Sequence, residues 1–214
     1  MIPQISILKY DTVKKVLKEL TMNILADFYR YASTALLLSA LAMFGYLFYK
    51  KEGIKKTVKI WIEEFLHSSD FRRTFLFMFY LSLVLCRTLL YRSLWHNPLA
   101  RIMEGWGIYG SDGNIDLEGI ENFILFIPMT MLFWWKKCHK SEYKISFLHL
   151  VTVSVAVSFL FSLFIELCQL FFRVGTFQYS DLVYNTAAGL VGGLIYYVFY
   201  IIKKVLCKSH TDAL

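Results

Sequence analysis

Long apolar blocks alternate with short polar segments along this 214-residue chain. Five blocks match or approach the roughly 20 residues that a helix needs to cross a bilayer. They cover residues 31–49, 75–91, 120–135, 147–172 and 182–202. Hydrophobic residues make up 57% of the chain, more than in an ordinary soluble domain. The pattern therefore predicts an all-α fold, a polytopic transmembrane helix bundle of about five spans.

Two segments outside these blocks combine apolar residues at helical spacing with several lysines. They are residues 1–30 and 54–66, and the pattern is typical of amphipathic helices that lie at a membrane surface. The sequence thus divides into four parts. These are an N-terminal amphipathic segment at 1–30, a first transmembrane helix and surface helix at 31–74, a transmembrane core at 75–202 and a basic cytoplasmic tail at 203–214.

The formal net charge of +7 comes largely from lysines and arginines that gather just outside the apolar blocks. Cytoplasmic loops of membrane proteins carry such residues preferentially. Their numbers alternate between high and low along the four connectors and the tail, which places the tail in the cytoplasm and the N-terminus outside. We therefore attribute the basic charge to topology and to contact with membrane lipids, and we expect no nucleic-acid partner.

The most recognisable catalytic and metal-binding signatures are missing from the sequence. Cys86, Cys138, Cys168 and Cys207 have no metal-ligand spacing, so we expect reduced thiols. The chain contains no HExxH, P-loop or GxSxG motif. We therefore expect no metal, no cofactor and no catalytic residue, and a non-enzymatic function is favoured.

Polar residues inside the apolar blocks single out one end of the predicted bundle. A charged side chain at mid-bilayer costs about 2.5–3.5 kcal/mol, so each one needs a partner or a function. Glu166, Gln169 and Arg173 are spaced i, i+3 and i+7, which places them on one face of a helix. Alternating spans bring these three and four other polar residues to the same membrane face, extracytoplasmic by the charge count. The seven candidate ligand-binding residues are Arg87, Asn122, Glu166, Gln169, Arg173, Asp181 and Asn185.

A purely structural role is the alternative for the same residues. Arg87 or Arg173 could pair with Glu166 inside the bundle. Asn122 could bond across helices, and Asp181 could cap the last span with its carboxylate at the positive end of the helix. The sequence leaves both readings open.

Small residues follow the polar positions in the last block. Ala187, Ala188, Gly189 and Gly193 include the G-x-x-x-G spacing that is typical of closely approaching transmembrane helices. We predict that they pack against a neighbouring helix rather than form a binding site.

Three short motifs carry a resemblance to a known family. They are N-x-x-x-F-x-P from Asn122, E-x-x-Q from Glu166 and D-x-x-x-N-T from Asp181. With them, residues 75–200 resemble the VanZ-like membrane proteins. The family pattern falls on Asn122, Phe126, Pro128, Glu166, Gln169, Asp181, Asn185, Thr186 and Gly189. Two positions depart from it: Thr130 stands where glycine is common, and Gln178 where aspartate is common, which removes one carboxylate.

The resemblance implies a small multi-pass protein of the bacterial cytoplasmic membrane, in a family whose members in some cases lower susceptibility to teicoplanin-type lipoglycopeptides. We expect modulation of the glycopeptide response through a lipid-linked or anionic ligand, such as a lipid-linked cell-wall precursor or the lipoglycopeptide itself. Arg87 and Arg173 would contact its phosphate or carboxylate, and Glu166, Gln169 and Asn185 would orient it. The alternatives are a polyprenyl-phosphate or lipid-phosphate enzyme or carrier, with Glu166 and Asp181 as paired carboxylates, and a structural accessory subunit of a membrane complex.

Overall fold

The computed structural model describes residues 3–50, 53–107, 117–138 and 145–211, and it is built from helices. They are α1 (Pro3–Lys50), α2 (Ile54–His67), α3 (Ser69–Leu85), α4 (Glu118–Lys137), α5 (Phe147–Phe172) and α6 (Tyr179–Thr211). A π-helical turn, Cys86–Leu90, extends α3. No β-strand occurs in these ranges, so the predicted all-α class is confirmed.

Four helices in the described ranges are long and apolar enough to cross a membrane, and the predicted count of five is therefore wrong by one. The four candidate spans are Val13–Tyr49, Ser69–Leu90, Phe147–Phe172 and Tyr179–Leu206. The block at 120–135 forms α4, which is about 30 Å long. Helix α4 is not sufficiently apolar to count as a candidate span, because Glu118, Glu121 and Asn122 lie in its first turns and lower its mean hydropathy.

Helices run across two of the predicted boundaries near the ends of the chain. Residues 3–30 of the amphipathic segment and the block at 31–49 belong to one uninterrupted helix, α1. The predicted tail at 203–214 continues α6 as far as Thr211, and its last three residues lie outside the described part. Among the cysteines, Cys86, Cys138 and Cys168 are free thiols, while the Cys207 side chain is not among those described.

Contacts between helix ends fix the direction in which α3 to α6 run. Arg73, near the start of α3, donates a hydrogen bond to the carbonyl of Trp135 near the end of α4. Trp134 donates from Nε1 to Ser154 Oγ near the start of α5, at 2.8 Å. Consecutive helices in this series are therefore antiparallel. One end of the bundle, which we call the polar end, contains the end of α3, the start of α4, the end of α5 and the start of α6.

Small residues allow α4, α5 and α6 to pack closely, as predicted for the last block. Ser154, Ser158 and Ser162 repeat every four residues along α5 and are fully buried. A side chain at Gly189 would overlap Ser158, and one at Gly193 would overlap Ser154. The close approach of α5 and α6 therefore depends on glycine opposite serine.

The apolar core lies between α3, α4, α5 and α6. Its buried members are Val84, Phe126, Met129, Ile165 and Ala188. The long helix α1 packs on α3 through a second cluster that includes Tyr31, Ala35 and Leu83. This packing holds the polar end in a fixed arrangement, because every helix that supplies a polar residue also supplies a core residue.

Candidate functional site

Two connectors close the polar end through backbone hydrogen bonds. Helix α5 ends at Phe172, and Arg173 turns the chain with a left-handed φ of 56°. The segment 173–179 then lies beside the segment 93–102. Four backbone N–H groups join them: Trp95 to the Arg173 carbonyl at 2.8 Å, Gly175 to Ser93 at 3.0 Å, Phe177 to Pro98 at 2.9 Å and Tyr179 to Ile102 at 3.1 Å.

Five of the seven predicted site residues lie together beneath these connectors. Asn122 comes from α4, Glu166 and Gln169 from α5, and Asp181 and Asn185 from α6. Their side chains belong to residues that are only 1% to 5% exposed. We call these five residues the polar cluster. The sequence predicts that all seven polar residues gather at one end, and the structure brings these five of them together.

Each member of the polar cluster makes one hydrogen bond that fixes its side chain. Glu166 Oε2 accepts from the backbone N–H of Gln178 at 2.9 Å. Asn122 forms a side-chain hydrogen bond with the Asp181 carboxylate. Two more bonds hold the remaining amides: Asn185 Nδ2 donates to Ser162 Oγ at 2.9 Å, and Gln169 Nε2 donates to the Thr88 carbonyl at 3.0 Å.

Three amide oxygens of the polar cluster have no hydrogen-bond partner among the described residues. They are Asn122 Oδ1, Gln169 Oε1 and Asn185 Oδ1. The orientation of Gln169 is set by its neighbour, because the Thr88 carbonyl can only accept and must face the amide nitrogen. Buried polar atoms in folded proteins are nearly always paired. The polar cluster therefore has more acceptors than the described part of the chain supplies donors for them.

Arg87 lies in a separate ion-pair group between α1, α3 and α4. Its Nε is 3.1 Å from Asp27 Oδ2, and its Nη2 pairs with Glu121 Oε2. Asn23 Nδ2 donates to the other Glu121 oxygen at 2.7 Å. The group borders a cavity of about 170 Å³ that is lined mainly by apolar side chains. In the structural alternative Arg87 could have paired with Glu166, but both of its charged partners come from other helices, Asp27 from α1 and Glu121 from α4.

Arg173 does not share a helical face with Glu166 and Gln169, and this expectation is also wrong. The helix stops one residue earlier, and the left-handed turn carries Arg173 out of register. Arg173 is exposed, and its side chain makes no ion pair with the described residues. It therefore stands at the surface of the polar end, outside the buried cluster.

Sequence reasoning missed two charged residues beside the polar cluster. Arg92 Nη2 lies 2.5 Å from Glu118 Oε1. Both are close enough to Glu166 and Asp181 to act on them electrostatically. Glu118 precedes Asn122 by four residues on α4, and this spacing could have placed it on the same face. The site therefore contains three carboxyl groups with Arg92 beside them, and Arg87 acts on Asp181 from its own ion-pair group.

The side chains of the site limit its chemistry. No group of three or more His, Cys, Asp or Glu side chains placed to hold a metal ion occurs in the described ranges. The polar cluster instead combines two carboxylates with amide oxygens that are free to accept. Such a site can bind hydrogen-bond donors or positive charge, and its paired carboxylates could also exchange protons with a ligand.

Comparison with known proteins gives one match. A family model described as VanZ/LLP1 matches residues 4–200, a longer stretch than residues 75–200, which carry the motif resemblance. No curated protein and no solved structure matches the chain.

Proposed function

The chain belongs to the VanZ/LLP1 family, and from this premise we propose that it modulates the response of a bacterial cell envelope to teicoplanin-type glycopeptides. In this proposal it is a multi-pass protein of the cytoplasmic membrane that acts by binding rather than by catalysis. It binds a lipid-linked ligand, a cell-wall precursor or the lipoglycopeptide, at the extracytoplasmic face. The polar end is the binding end, because the lysine and arginine counts place the opposite connectors in the cytoplasm.

One observation carries this proposal: buried amide oxygens without partners lie beside two buried carboxylates at the polar end. Residues that only hold a bundle together satisfy one another, since an unpaired buried polar atom costs about 1–3 kcal/mol. Asn122, Gln169 and Asn185 each leave an acceptor unused. A ligand rich in hydroxyl and amide N–H groups would supply the missing donors.

The structure changes the roles that we assign to the two arginines, both of which we expected from the sequence to contact the ligand. Arg87 is neutralised by Asp27 and Glu121, so we assign it to holding α1, α3 and α4 together. Arg173 is exposed at the same end of the bundle and has no ion pair among the described residues. We assign the contact with a phosphate or carboxylate to Arg173, above the polar cluster that orients the rest of the ligand.

Susceptibility of cells that express the chain tests the proposal. A susceptible bacterial host expresses the wild-type chain, Glu166→Gln or Asp181→Asn, and teicoplanin and vancomycin are compared. The wild type should raise the inhibitory concentration of teicoplanin more than that of vancomycin, and both variants should lose the effect at normal membrane abundance. Glu104→Gln is the matched control, because Glu104 is exposed and its side chain forms an ion pair with Arg101 in the same connector. No shift for either drug would contradict the proposal.

A second candidate function is a lipid-phosphate enzyme or carrier, and the paired carboxylates favour it. Glu166 and Asp181 interact electrostatically across the corner between α5 and α6, and Arg92 acts on both. One carboxyl could donate a proton to a leaving group while Arg92 contacts phosphate. Purified protein that turns over or flips a polyprenyl phosphate, with the activity lost in Glu166→Gln, would establish this candidate in place of the first.

A further inference from the structure

The acidic character of the polar cluster conflicts with direct binding of an anion. Glu166 and Asp181 each feel the charge of Glu118 and of Arg92, and Arg92 is itself paired with Glu118. Arg87, which also acts on Asp181, is already paired with two other carboxylates. A phosphate that approached Glu166 and Asp181 would therefore meet carboxyl groups without an unpaired cation beside them, and neither carboxyl supplies the positive charge that a phosphate needs.

The unpaired amide oxygens lie in the same part of the polar end as the carboxyl groups of Glu166 and Asp181. The Asn122 amide bonds to the Asp181 carboxylate, so its unused Oδ1 lies beside that carboxylate. Asn185 follows Asp181 by one helical turn, and its unused Oδ1 is buried on the inner side of α6. Glu166 Oε2 accepts one hydrogen bond, from the backbone N–H of Gln178. The side-chain atoms of the polar cluster that have no partner among the described residues are all oxygen acceptors.

We propose that Glu166 and Asp181, together with the amide oxygens of Asn122 and Asn185, bind a divalent cation of the oxygen-preferring class, Ca²⁺ or Mg²⁺. Ca²⁺ accepts six to eight oxygens from carboxylates, amide carbonyls and water in flexible geometry. Two carboxylates balance its charge, and neutral amides complete the set. The absence of a third Asp, Glu, His or Cys ligand from the described residues means that the site depends on amide oxygens and binds weakly.

The functional consequence of the cation site rests on the proposed function, in which the chain binds an anionic lipid-linked ligand. A bound divalent ion is the largest local charge, and it reverses the sign of the field at the polar end. A phosphate group could then dock between the ion and the exposed Arg173. The cation therefore explains how an acidic cluster could serve an anionic lipid-linked ligand, which direct contact with Glu166 and Asp181 does not explain.

Calorimetric titration of the detergent-purified full chain tests the cation site. Ca²⁺ and Mg²⁺ are titrated separately, with Na⁺ at equal ionic strength as the reference. We expect saturable binding of at least one divalent ion, with a dissociation constant of about 10⁻⁴ to 10⁻³ M, the range of weak extracellular calcium modules. Heat that does not saturate up to about 10 mM, or equal binding of Na⁺, would overturn the inference.

Variants locate the bound ion. Glu166→Gln and Asp181→Asn should each weaken binding by at least about tenfold, because a ligand of the ion loses its charge. The exposed Glu104→Gln variant should bind as the wild type does. If either cluster variant elutes as an aggregate, Asn122→Asp replaces it, and the added carboxylate should tighten Ca²⁺ binding. Unchanged binding in all these variants would place the ion elsewhere and refute the site.

The two proposals can fail separately. Protection against teicoplanin by a chain that binds no divalent ion would refute the cation site and leave the glycopeptide role intact. Saturable Ca²⁺ binding without any change in susceptibility would refute the glycopeptide role and leave the cation site intact.

Discussion

Replacing Gly192 by alanine tests the close packing of α6 on α4. A Cβ atom at this position would overlap the carbonyl oxygen of Ile127 and lie 3.1 Å and 3.2 Å from that residue's C and Cα atoms. The obstacle is backbone, so no change of rotamer relieves it. The two helices would have to separate, although both contribute to the apolar core, α4 through Phe126 and Met129 and α6 through Ala188.

The magnitude follows from two opposing effects. Alanine is preferred over glycine inside a helix by about 0.8–1.0 kcal/mol. Overpacking of a well-packed interior costs about 1–3 kcal/mol, and contact with rigid backbone belongs at the upper end of that range. We therefore expect Gly192→Ala to lower the free energy of unfolding by about 2 kcal/mol.

Gly45→Ala is the matched control, because Gly45 lies within α1 and nothing is within 4 Å of an added Cβ. It should leave stability unchanged or raise it by up to about 1 kcal/mol. Unfolding of both purified variants is followed in detergent by circular dichroism or intrinsic fluorescence. The packing argument would be refuted if Gly192→Ala were as stable as the wild type, or if Gly45→Ala were less stable than Gly192→Ala.

Three further predictions follow from the contacts of single residues. Arg87→Met should destabilise the protein by about 3–5 kcal/mol and lower its abundance, because two largely buried carboxylates lose their cation. Adding Glu121→Gln to this variant should recover part of the lost stability. Normal abundance of Arg87→Met alone would contradict the ion-pair role. Ser154→Ala should cost about 1–3 kcal/mol in an unfolding titration, because Trp134 Nε1 loses its acceptor deep between α4 and α5, and an unchanged midpoint would argue against that bond. Arg173→Ala should leave the unfolding midpoint unchanged but reduce protection against teicoplanin, whereas loss of stability together with protection would assign Arg173 a structural role.

The gathering of polar residues could be predicted because it needs only helix order and helix geometry. Asn122 opens one helix, Glu166 ends the next, and Asp181 opens the last, so antiparallel packing brings them together whatever the details of the turns. The same reasoning explains the glycines opposite the α5 serines. Helical spacing and short connections are local properties, and the sequence states them directly.

The partners of the arginines could not be predicted because they depend on tertiary contacts. Asp27 reaches Arg87 only because α1 packs along α3, and nothing in the spacing of the N-terminal segment indicates that neighbour. Arg173 leaves its helix because backbone hydrogen bonds with the segment 93–102 end α5 at Phe172. The hydropathy of α4 is lowered by Glu118 and Glu121. Glu121 pairs with Arg87 in the π-helical turn, and Glu118 pairs with Arg92 just beyond that turn.

The paired connectors at 93–102 and 173–179 bear on how a molecule would reach Glu166. A bulky solute arriving from the water, unlike a small ion, would have to separate two backbone segments that are joined by four hydrogen bonds. A compound already dissolved in the leaflet meets helix surfaces instead, where side chains yield more easily than paired backbone. The route of entry would then select ligands by their solubility in lipid before any side chain contacts them. Free sugars and soluble peptides would be excluded, whereas the same groups attached to a lipid tail would enter.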